Sequence, residues 1–353
     1  MSEPLRITVR ESFTGLIQGD RPFRGTAACY ETAEKGASIV ENPALRQTRA
    51  VRPVLLVLAA SICFGTTGTA LALAGPVDPI AFGALRIALG GAVLALVAVV
   101  LARRRPGPRP RRGRVPLALI LLGALGVVAY QPAFFTGTAQ NGVALGTIVA
   151  LGSAPVLTGL AQWLLTRRFP GPSWAVATAL ALVGLALLTG AGGAVGVRPL
   201  GLLASLGAGA AYAVYTLVGK RLMDAGWSPS GSMGLLFGVA ALGGVILLAL
   251  EGPAADLAGP GAGRTVLAAV WAALVATVLA YLLFARGLER LPGARVATLT
   301  LAEPVTATVL GVAVLGERLG GVELVGLVVL AAGLAVLLPS VSVRIDRMLA
   351  GAA

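Results

Sequence analysis

Residues 301–319 read LAEPVTATVLGVAVLGERL, and this stretch sets a glutamate and a proline side by side inside a long apolar run. A carboxylate at the centre of a membrane helix costs about 2.5 to 3.5 kcal/mol on insertion scales, so Glu303 indicates a function within the membrane. Pro304 has no backbone N–H, so we expect a helix break that leaves the carbonyl of Thr300 without its helical partner. The stretch therefore predicts an interrupted membrane helix beside a charge.

The whole chain has the composition of an all-α integral membrane protein. Of its 353 residues, 57% are hydrophobic and 12% are charged, which is too apolar for soluble domains. From Pro53 onward, apolar windows of about 18 to 24 residues recur, each long enough to cross about 30 Å of hydrocarbon. We predict ten transmembrane helices, at 53–74, 79–102, 116–138, 143–165, 173–190, 200–219, 231–250, 265–287, 294–315 and 321–339.

The basic residues between these spans predict the orientation of the protein. Nineteen lysines and arginines fall on one side, seven of them in the loop 103–114, and three fall on the other side, namely Arg198, Arg264 and Arg318. Because basic loops stay on the cytoplasmic side, both termini are expected in the cytoplasm. The net charge of +13 is thereby explained by topology, and we expect no nucleic acid partner.

An internal repeat divides the chain into two halves. At an offset of 149 residues Pro155 falls on Pro304 and Gly184 falls on Gly333. Five spans per repeat is an odd number, so the two halves must enter the membrane in opposite senses, and such proteins place a substrate site near the midplane. The predicted organisation is a disordered cytoplasmic tail (1–52), two inverted five-helix repeats (53–190 and 200–339) and a cytoplasmic C-terminal tail (340–353).

Three stretches resemble a known family. They are the run at 301–319 quoted above, GVELVGLVVLAAGLAVLL at 321–338, and FGALRIALGG at 82–91. Together they are similar to the drug/metabolite transporter superfamily, specifically EamA-type permeases, over roughly residues 53–339. The resemblance implies a secondary transporter of the bacterial inner (plasma) membrane, often an exporter of amino acids, metabolites or drugs. It selects no substrate.

Two charges are the first candidates for a site. Glu303 shares a helical face with Thr300 and Thr306, and it could couple transport to protons, bind a substrate amine, or serve as a packing carboxylate. Arg86 lies closer to the outer end of its span, where its side chain could snorkel to the interface. It could instead bind a substrate carboxylate or pair with Glu303. The resemblance favours a role for Arg86, because the family tends to carry an arginine there.

Amide and aromatic side chains are further candidates to line the cavity. Tyr130 and Gln131 lie in the third span and Tyr212 in the sixth. Packing explains most aromatic residues, but an unpaired amide in hydrocarbon is costly, so Gln131 is favoured as a site residue. The prolines of spans four and nine, Pro155 and Pro304, predict helix breaks at matching places in the two repeats.

The residue inventory limits the alternatives. The chain has no histidine and two cysteines, which removes most hydrolytic and metal-binding machinery, so we expect no enzyme activity, metal or cofactor. A non-transporting scaffold or sensor remains an alternative, and a membrane-embedded enzyme is a weaker one. The expected partners are a small-molecule substrate, the lipid bilayer and, if Glu303 titrates, protons; a homodimer stays open.

Overall fold

The computed structural model describes residues 43–104, 115–189, 197–251 and 261–350, and every regular element in these ranges is helical. The elements are α1 (Pro43–Ala74), α2 (Pro79–Arg104), α3 (Leu117–Thr166), α4 (Pro172–Leu188), α5 (Pro199–Asp224), α6 (Pro229–Glu251), α7 (Ala262–Ala273), a π-helical segment (Leu274–Leu279), α8 (Ala280–Arg290), α9 (Gly293–Leu299), α10 (Ala302–Leu315), α11 (Gly321–Val336) and α12 (Pro339–Ala350). The predicted all-α class holds throughout these ranges. Most of the predicted N-terminal tail, residues 1–42, and the arginine-rich residues 105–114 lie outside them.

The number of membrane-spanning stretches differs from the predicted ten. Judged by length and apolar composition, seven helical stretches of the described chain can cross a membrane, or eight if α11 and α12 form one bent span. The difference arises because α3 runs through two predicted spans, and because α4 and α11 have 17 and 16 residues. Helices of that length reach about 25 Å, which is less than the apolar thickness of a bilayer.

A glycine divides α3. Gly142 has φ 80° and ψ 155°, which is outside the helical region and is tolerated because glycine has no Cβ. A first arm (117–141) and a second arm (143–166) meet there. Within the second arm the structure differs from the predicted break at Pro155, because the backbone stays helical across that residue.

The second half of the chain does break near its proline. α9 ends at Leu299 and α10 begins at Ala302, so Thr300 and Leu301 lie between two helices. Pro304 cannot donate to the Thr300 carbonyl as a regular helix would require, and that carbonyl instead accepts a hydrogen bond from the N–H of Glu303 at 2.9 Å. This bond spans three residues instead of four and so closes a tighter turn.

Small residues allow helices to pack closely. Inside a membrane such van der Waals packing holds helices together, because the hydrophobic effect does not drive their association there. The first arm of α3 packs on α5, where a Cβ added to Gly126 would lie 2.8 Å from the carbonyl oxygen of Ala211. α4 packs on α11, where a Cβ added to Gly333 would lie 3.0 Å from the carbonyl oxygen of Ala177. Backbone approach of this kind leaves no room for a larger side chain.

Both predicted tails contain helix. α1 begins at Pro43, so the last ten residues of the predicted disordered tail (1–52) are helical, which is a correction. The segment opens with proline and continues with Ala, Leu, Arg and Gln, which favour helix. Residues 340–350 of the predicted C-terminal tail belong to α12, whose axis turns by 79° from that of α11.

Candidate functional site

Arg86 projects from α2 into the bundle and is held by three hydrogen bonds. Its Nε donates to Thr277 Oγ1 at 2.9 Å, and its Nη2 donates to the carbonyl oxygen of Ala276 at 3.1 Å. Its Nη1 reaches Thr67 Oγ1 on α1 at 3.5 Å. The guanidinium is therefore anchored to protein groups, and the structure does not support the snorkelling alternative for Arg86.

The π-helical segment supplies two of these acceptors. The Thr277 hydroxyl donates to the carbonyl oxygen of Ala272, five residues earlier, at 3.0 Å while it accepts from Arg86. A π-helical turn displaces backbone carbonyls from their usual partners, and such turns are frequent at functional sites. The widened turn is what presents the Ala276 carbonyl to Arg86.

Glu303 lies in the first turn of α10, directly after the helix break, and is half-buried. In the described part of the chain its carboxylate has neither a hydrogen bond nor an ion pair. Glu303 and Arg86 do not form an ion pair, since no N–O distance between their side chains is within 4.0 Å. A partly accessible carboxylate without a partner is costly in a membrane protein, which favours a functional role.

Neighbouring helices stabilise the break before Glu303. In a continuous helix the N–H of Glu303 would bond to Leu299, but here it bonds to Thr300. The hydroxyl of Ser61 on α1 donates to the Val57 carbonyl of its own helix at 2.8 Å and reaches the carbonyl oxygen of Leu299 at 3.4 Å. On the other side, the hydroxyls of Tyr212 and Thr300 share a hydrogen bond of 3.0 Å. α1 and α5 thus both provide polar contacts to the interrupted segment.

An aromatic cluster lies beside the break, formed by Phe64, Tyr215, Phe237, Tyr281 and Phe284. The Phe64 and Tyr281 rings are 4.9 Å apart and the Phe237 and Tyr281 rings 4.0 Å apart between centroids. The hydroxyls of Tyr215 and Tyr281 share a hydrogen bond of 3.1 Å. All five residues are buried, so the cluster is a dense barrier between the helices of the two halves.

A small cavity lies between Arg86 and the aromatic cluster, with a volume of about 40 Å³. Its lining consists of Arg86, Ile87, Val127, Tyr130, Gln131, Tyr215, Phe237, Thr277 and Tyr281. The amide of Gln131 packs on Gly83, and within the described residues it has no hydrogen-bond partner. A space of this size holds about one water and excludes a metabolite.

A larger vestibule of about 700 Å³ opens at one end of the bundle. Its lining includes Arg52 on α1, Pro229 on α6, and Arg286, Glu289 and Arg290 on α8. Following α8 inward from these residues leads to Phe284 and then to Tyr281. Along α8, Phe284 and Tyr281 of the aromatic cluster therefore follow the residues that line the vestibule, and Tyr281 also lines the small cavity.

The structure places the sequence-predicted residues in two groups, one at the small cavity and one at the helix break. Arg86, Tyr130 and Gln131 line one cavity, Tyr212 bonds to Thr300, and Glu303 and Pro304 follow the break. Pro155 lies in a continuous helix.

Sequence reasoning missed Thr277, Phe237 and Tyr281. The spacing of Thr277 and Tyr281, four residues apart in an apolar span, could have indicated a shared polar face. Nothing in the sequence pattern indicates the π-helical segment or singles out Phe237.

In the part of the chain that the structure describes, the site has a single carboxylate and no cluster of metal ligands. Within the described ranges no cluster of three or more His, Cys, Asp or Glu side chains could hold a metal ion. The polar groups that converge here are one arginine, one glutamate, an amide and several hydroxyls, which suit recognition of a small polar molecule. The absence of a cofactor stays a prediction.

Apolar helices that cross a membrane many times, with a polar site enclosed between them, define a multi-pass membrane transporter. The sequence matches the EamA-like transporter family twice, over residues 51–190 and 199–338. The chain belongs to the EamA-like transporter family, and its two matches are the two repeated domains of that family.

Two relatives share extended similarity with the chain. The "Uncharacterized transporter YwfM" of Bacillus subtilis (strain 168) is 38% identical over 284 residues, covering 80% of this chain and 92% of the relative. The "Uncharacterized protein PA1977" of Pseudomonas aeruginosa is 31% identical over 245 residues, covering 69% and 78%. A solved crystal structure of a protein that is 22% identical superimposes with a TM-score of 0.65 over 84% of this chain and 98% of that chain. At this identity the superposition shows the fold alone.

Proposed function

We propose that the protein is a secondary transporter that moves a small metabolite, amino acid or drug by alternating access, with Glu303 as the coupling group. The observation that carries this proposal is a half-buried carboxylate without a partner, next to a helix break, between the two repeats. The central cavity of about 40 Å³ is too small for a metabolite, so a transport cycle must widen it. Opening of the aromatic cluster toward the vestibule would do so.

Two features support ten spans. The two arms of α3 are each long enough to cross the membrane, because Gly142 lets the chain change direction between them. α4 and α11 are shorter but apolar, and they pack directly against each other. Counting both arms and both short helices gives one span for each predicted segment.

The contact between α4 and α11 supports an inverted repeat. Gly184 packs on Leu330, and Gly333 packs on Ala181, so the two helices run antiparallel. The offset of 149 residues that relates the repeats maps Gly184 onto Gly333 and Ala181 onto Leu330. It therefore maps one of these two contacts onto the other. Such an exchange requires a two-fold axis perpendicular to the helices, which for membrane spans lies in the membrane plane.

The direction and location follow from charge and resemblance. Arg52, Arg286 and Arg290 line the vestibule, and they belong to the basic side of the predicted topology. We therefore assign the vestibule and both termini to the cytoplasm and the protein to the bacterial inner membrane. A cytoplasmic vestibule that leads to a closed site suits export. The residues predicted for substrate contact are Glu303, Gln131, Tyr130 and Tyr212, with Arg86 as a fixed positive charge.

A growth screen tests the function before the substrate is known. Deletion and overexpression strains are compared across amino acids, nucleobases and toxic cations, and the compound that separates them is used for efflux measurements. Glu303→Gln should lose the overexpression phenotype at normal protein levels, while Glu317→Gln, an exposed acid in the turn after α10, should keep it. Equal phenotypes for the two variants would remove Glu303 from the mechanism.

A further inference from the structure

α12 is held to the end of the bundle by one acidic side chain, Asp346. Its Oδ1 accepts a hydrogen bond from the backbone N–H of Ser173 at 2.9 Å, and its Oδ2 accepts from the Ser173 hydroxyl at 3.2 Å. The N-cap position of α4 is Gly171, which has no side chain to bond these groups. Asp346 therefore provides the capping carboxylate that α4 itself lacks.

The same carboxylate contacts the helix that leads to Glu303. Arg295 on α9 lies 3.6 Å from Asp346 Oδ2 and donates to the Ser173 hydroxyl at 3.3 Å. α9 ends at the break before Glu303. Asp346 thus joins α12 to an element of each repeat, α4 in the first and α9 in the second.

This attachment fixes which side of α12 faces away from the bundle. Ser342 and Asp346 are four residues apart on the inner side, and Ser342 is buried. Val341, Val343 and Met348 lie away from that inner side, with exposed fractions of 36%, 48% and 68%. These apolar side chains face outward on a helix that turns 79° from α11, which is the arrangement of a helix lying in the membrane interface.

Two arginines complete the outer side of α12. Arg344 and Arg347 are three residues apart, both are exposed, and within the described chain neither forms an ion pair. Exposed arginines next to outward-facing apolar residues complement the anionic headgroups of a bilayer. A soluble acidic partner would explain the arginines but would not explain the exposed Met348 and Val341.

We propose that α12 is a lipid-sensing helix. Arg344 and Arg347 bind anionic headgroups, and Asp346 transmits the resulting change in the position of α12 to α4 and α9. The headgroup contact stands independently of any transport activity. The consequence of the α9 contact for transport rests on the proposed function, because α9 affects transport only if the segment before Glu303 moves during the transport cycle.

Hydrogen–deuterium exchange of the full-length protein tests the headgroup contact without a substrate. The protein is placed in nanodiscs of phosphatidylcholine alone or with a third of phosphatidylglycerol. Exchange of residues 339–350 should slow about tenfold with the anionic lipid, and Arg344→Gln with Arg347→Gln should abolish the difference. The matched control, Arg103→Gln with Arg104→Gln, removes the same charge from the exposed end of α2 and should keep it.

A second variant tests the connection to the bundle. Asp346→Asn should leave the lipid protection of α12 intact but remove the lipid response of the first turn of α4 and of α9. The headgroup contact would be overturned if residues 339–350 exchanged equally fast in both nanodiscs. It would also be overturned if the Arg103 and Arg104 control lost the lipid protection of these residues to the same extent. A lipid response of α9 that survives in Asp346→Asn would overturn the role of Asp346. None of these outcomes depends on whether Glu303 couples transport.

Discussion

Pro155 and Pro304 occupy matching positions in the two repeats, yet the chain around them differs. The second arm of α3 continues as a helix across Pro155, whereas the second half breaks at Thr300 and Leu301, just before Pro304. A proline removes one helical hydrogen bond in both places. The proline alone therefore does not decide whether the helix is interrupted.

The neighbouring helices explain the difference. Gly209 of α5 packs on the second arm of α3, where an added Cβ would lie 3.0 Å from the carbonyl oxygen of Ala150. At an offset of 148 its counterpart on α1 is Ser61, whose hydroxyl bonds to Val57 of its own helix and also reaches the carbonyl oxygen of Leu299 at 3.4 Å. A break exposes backbone groups, and in the second half polar side chains are present to bond them. The charge at Glu303 lies where those partners exist.

Moving the charge between the halves should have the largest effect. Ala154, the counterpart of Glu303, is buried in a continuous helix. We expect Ala154→Glu combined with Glu303→Ala to lower the free energy of unfolding by about 3 kcal/mol and to leave transport abolished. Denaturant unfolding in detergent and the efflux assay measure the two effects. Ala154→Met with Glu303→Ala separates size from charge, and restored transport in the glutamate variant would show that the break is dispensable.

Replacing Thr277 by valine, the residue at the matching position of the first repeat, should have the next largest effect on stability. The counterpart of Thr277 is Val128, which lies in a regular part of α3. Thr277→Val should cost about 2 kcal/mol of unfolding free energy, because Arg86 Nε and its surroundings lose a buried hydrogen bond. Thr308→Val makes the same chemical change on α10 and should be near neutral. Equal stability of the two variants would argue against Thr277 as the anchor of Arg86.

Removing the hydroxyl that contacts Thr300 should have a smaller effect. Tyr212→Phe should cost about 1 kcal/mol of unfolding free energy, since it deletes the bond that α5 makes to the interrupted segment. Transport should fall more than in Tyr130→Phe, whose hydroxyl makes no hydrogen bond within the described residues. If both variants behave alike in unfolding, the contact to Thr300 contributes nothing to the break.

The smallest expected effect concerns Ser61. Ser61→Ala should cost about 0.6 kcal/mol, the average for a hydrogen bond between membrane helices. Ser232→Ala is the control, because the Ser232 hydroxyl likewise bonds to the carbonyl four residues earlier, that of Ser228, but has no second contact with another helix among the described residues. Hydrogen exchange at Glu303 and Thr300 should rise in Ser61→Ala alone. Unchanged exchange there would assign the stability of the break to α5.

The sequence predicts the apolar spans and the charges well because both are signalled by single residue types. Glu303 and Arg86 stand out as charges within apolar runs; Arg86 lines the small cavity, and Glu303 follows the helix break. The break at Thr300 and the continuity at Pro155 depend on Ser61, Tyr212 and Gly209, which are distant in sequence. The π-helical segment has no periodic signal, and the lengths of α4 and α11 depend on packing between them. These features could not be predicted because tertiary contacts determine them.

Proton movement in proteoliposomes tests the central claim most directly. With the transported compound identified, a pH-sensitive dye inside the vesicles reports whether substrate flux moves protons, and counterflow reports exchange without a proton gradient. Wild-type protein should show both signals, and folded Glu303→Gln should lose substrate-driven proton movement. Retained counterflow would assign Glu303 to proton coupling, and lost counterflow would assign it to substrate binding as well. Wild-type proton movement together with wild-type counterflow in Glu303→Gln would contradict the account.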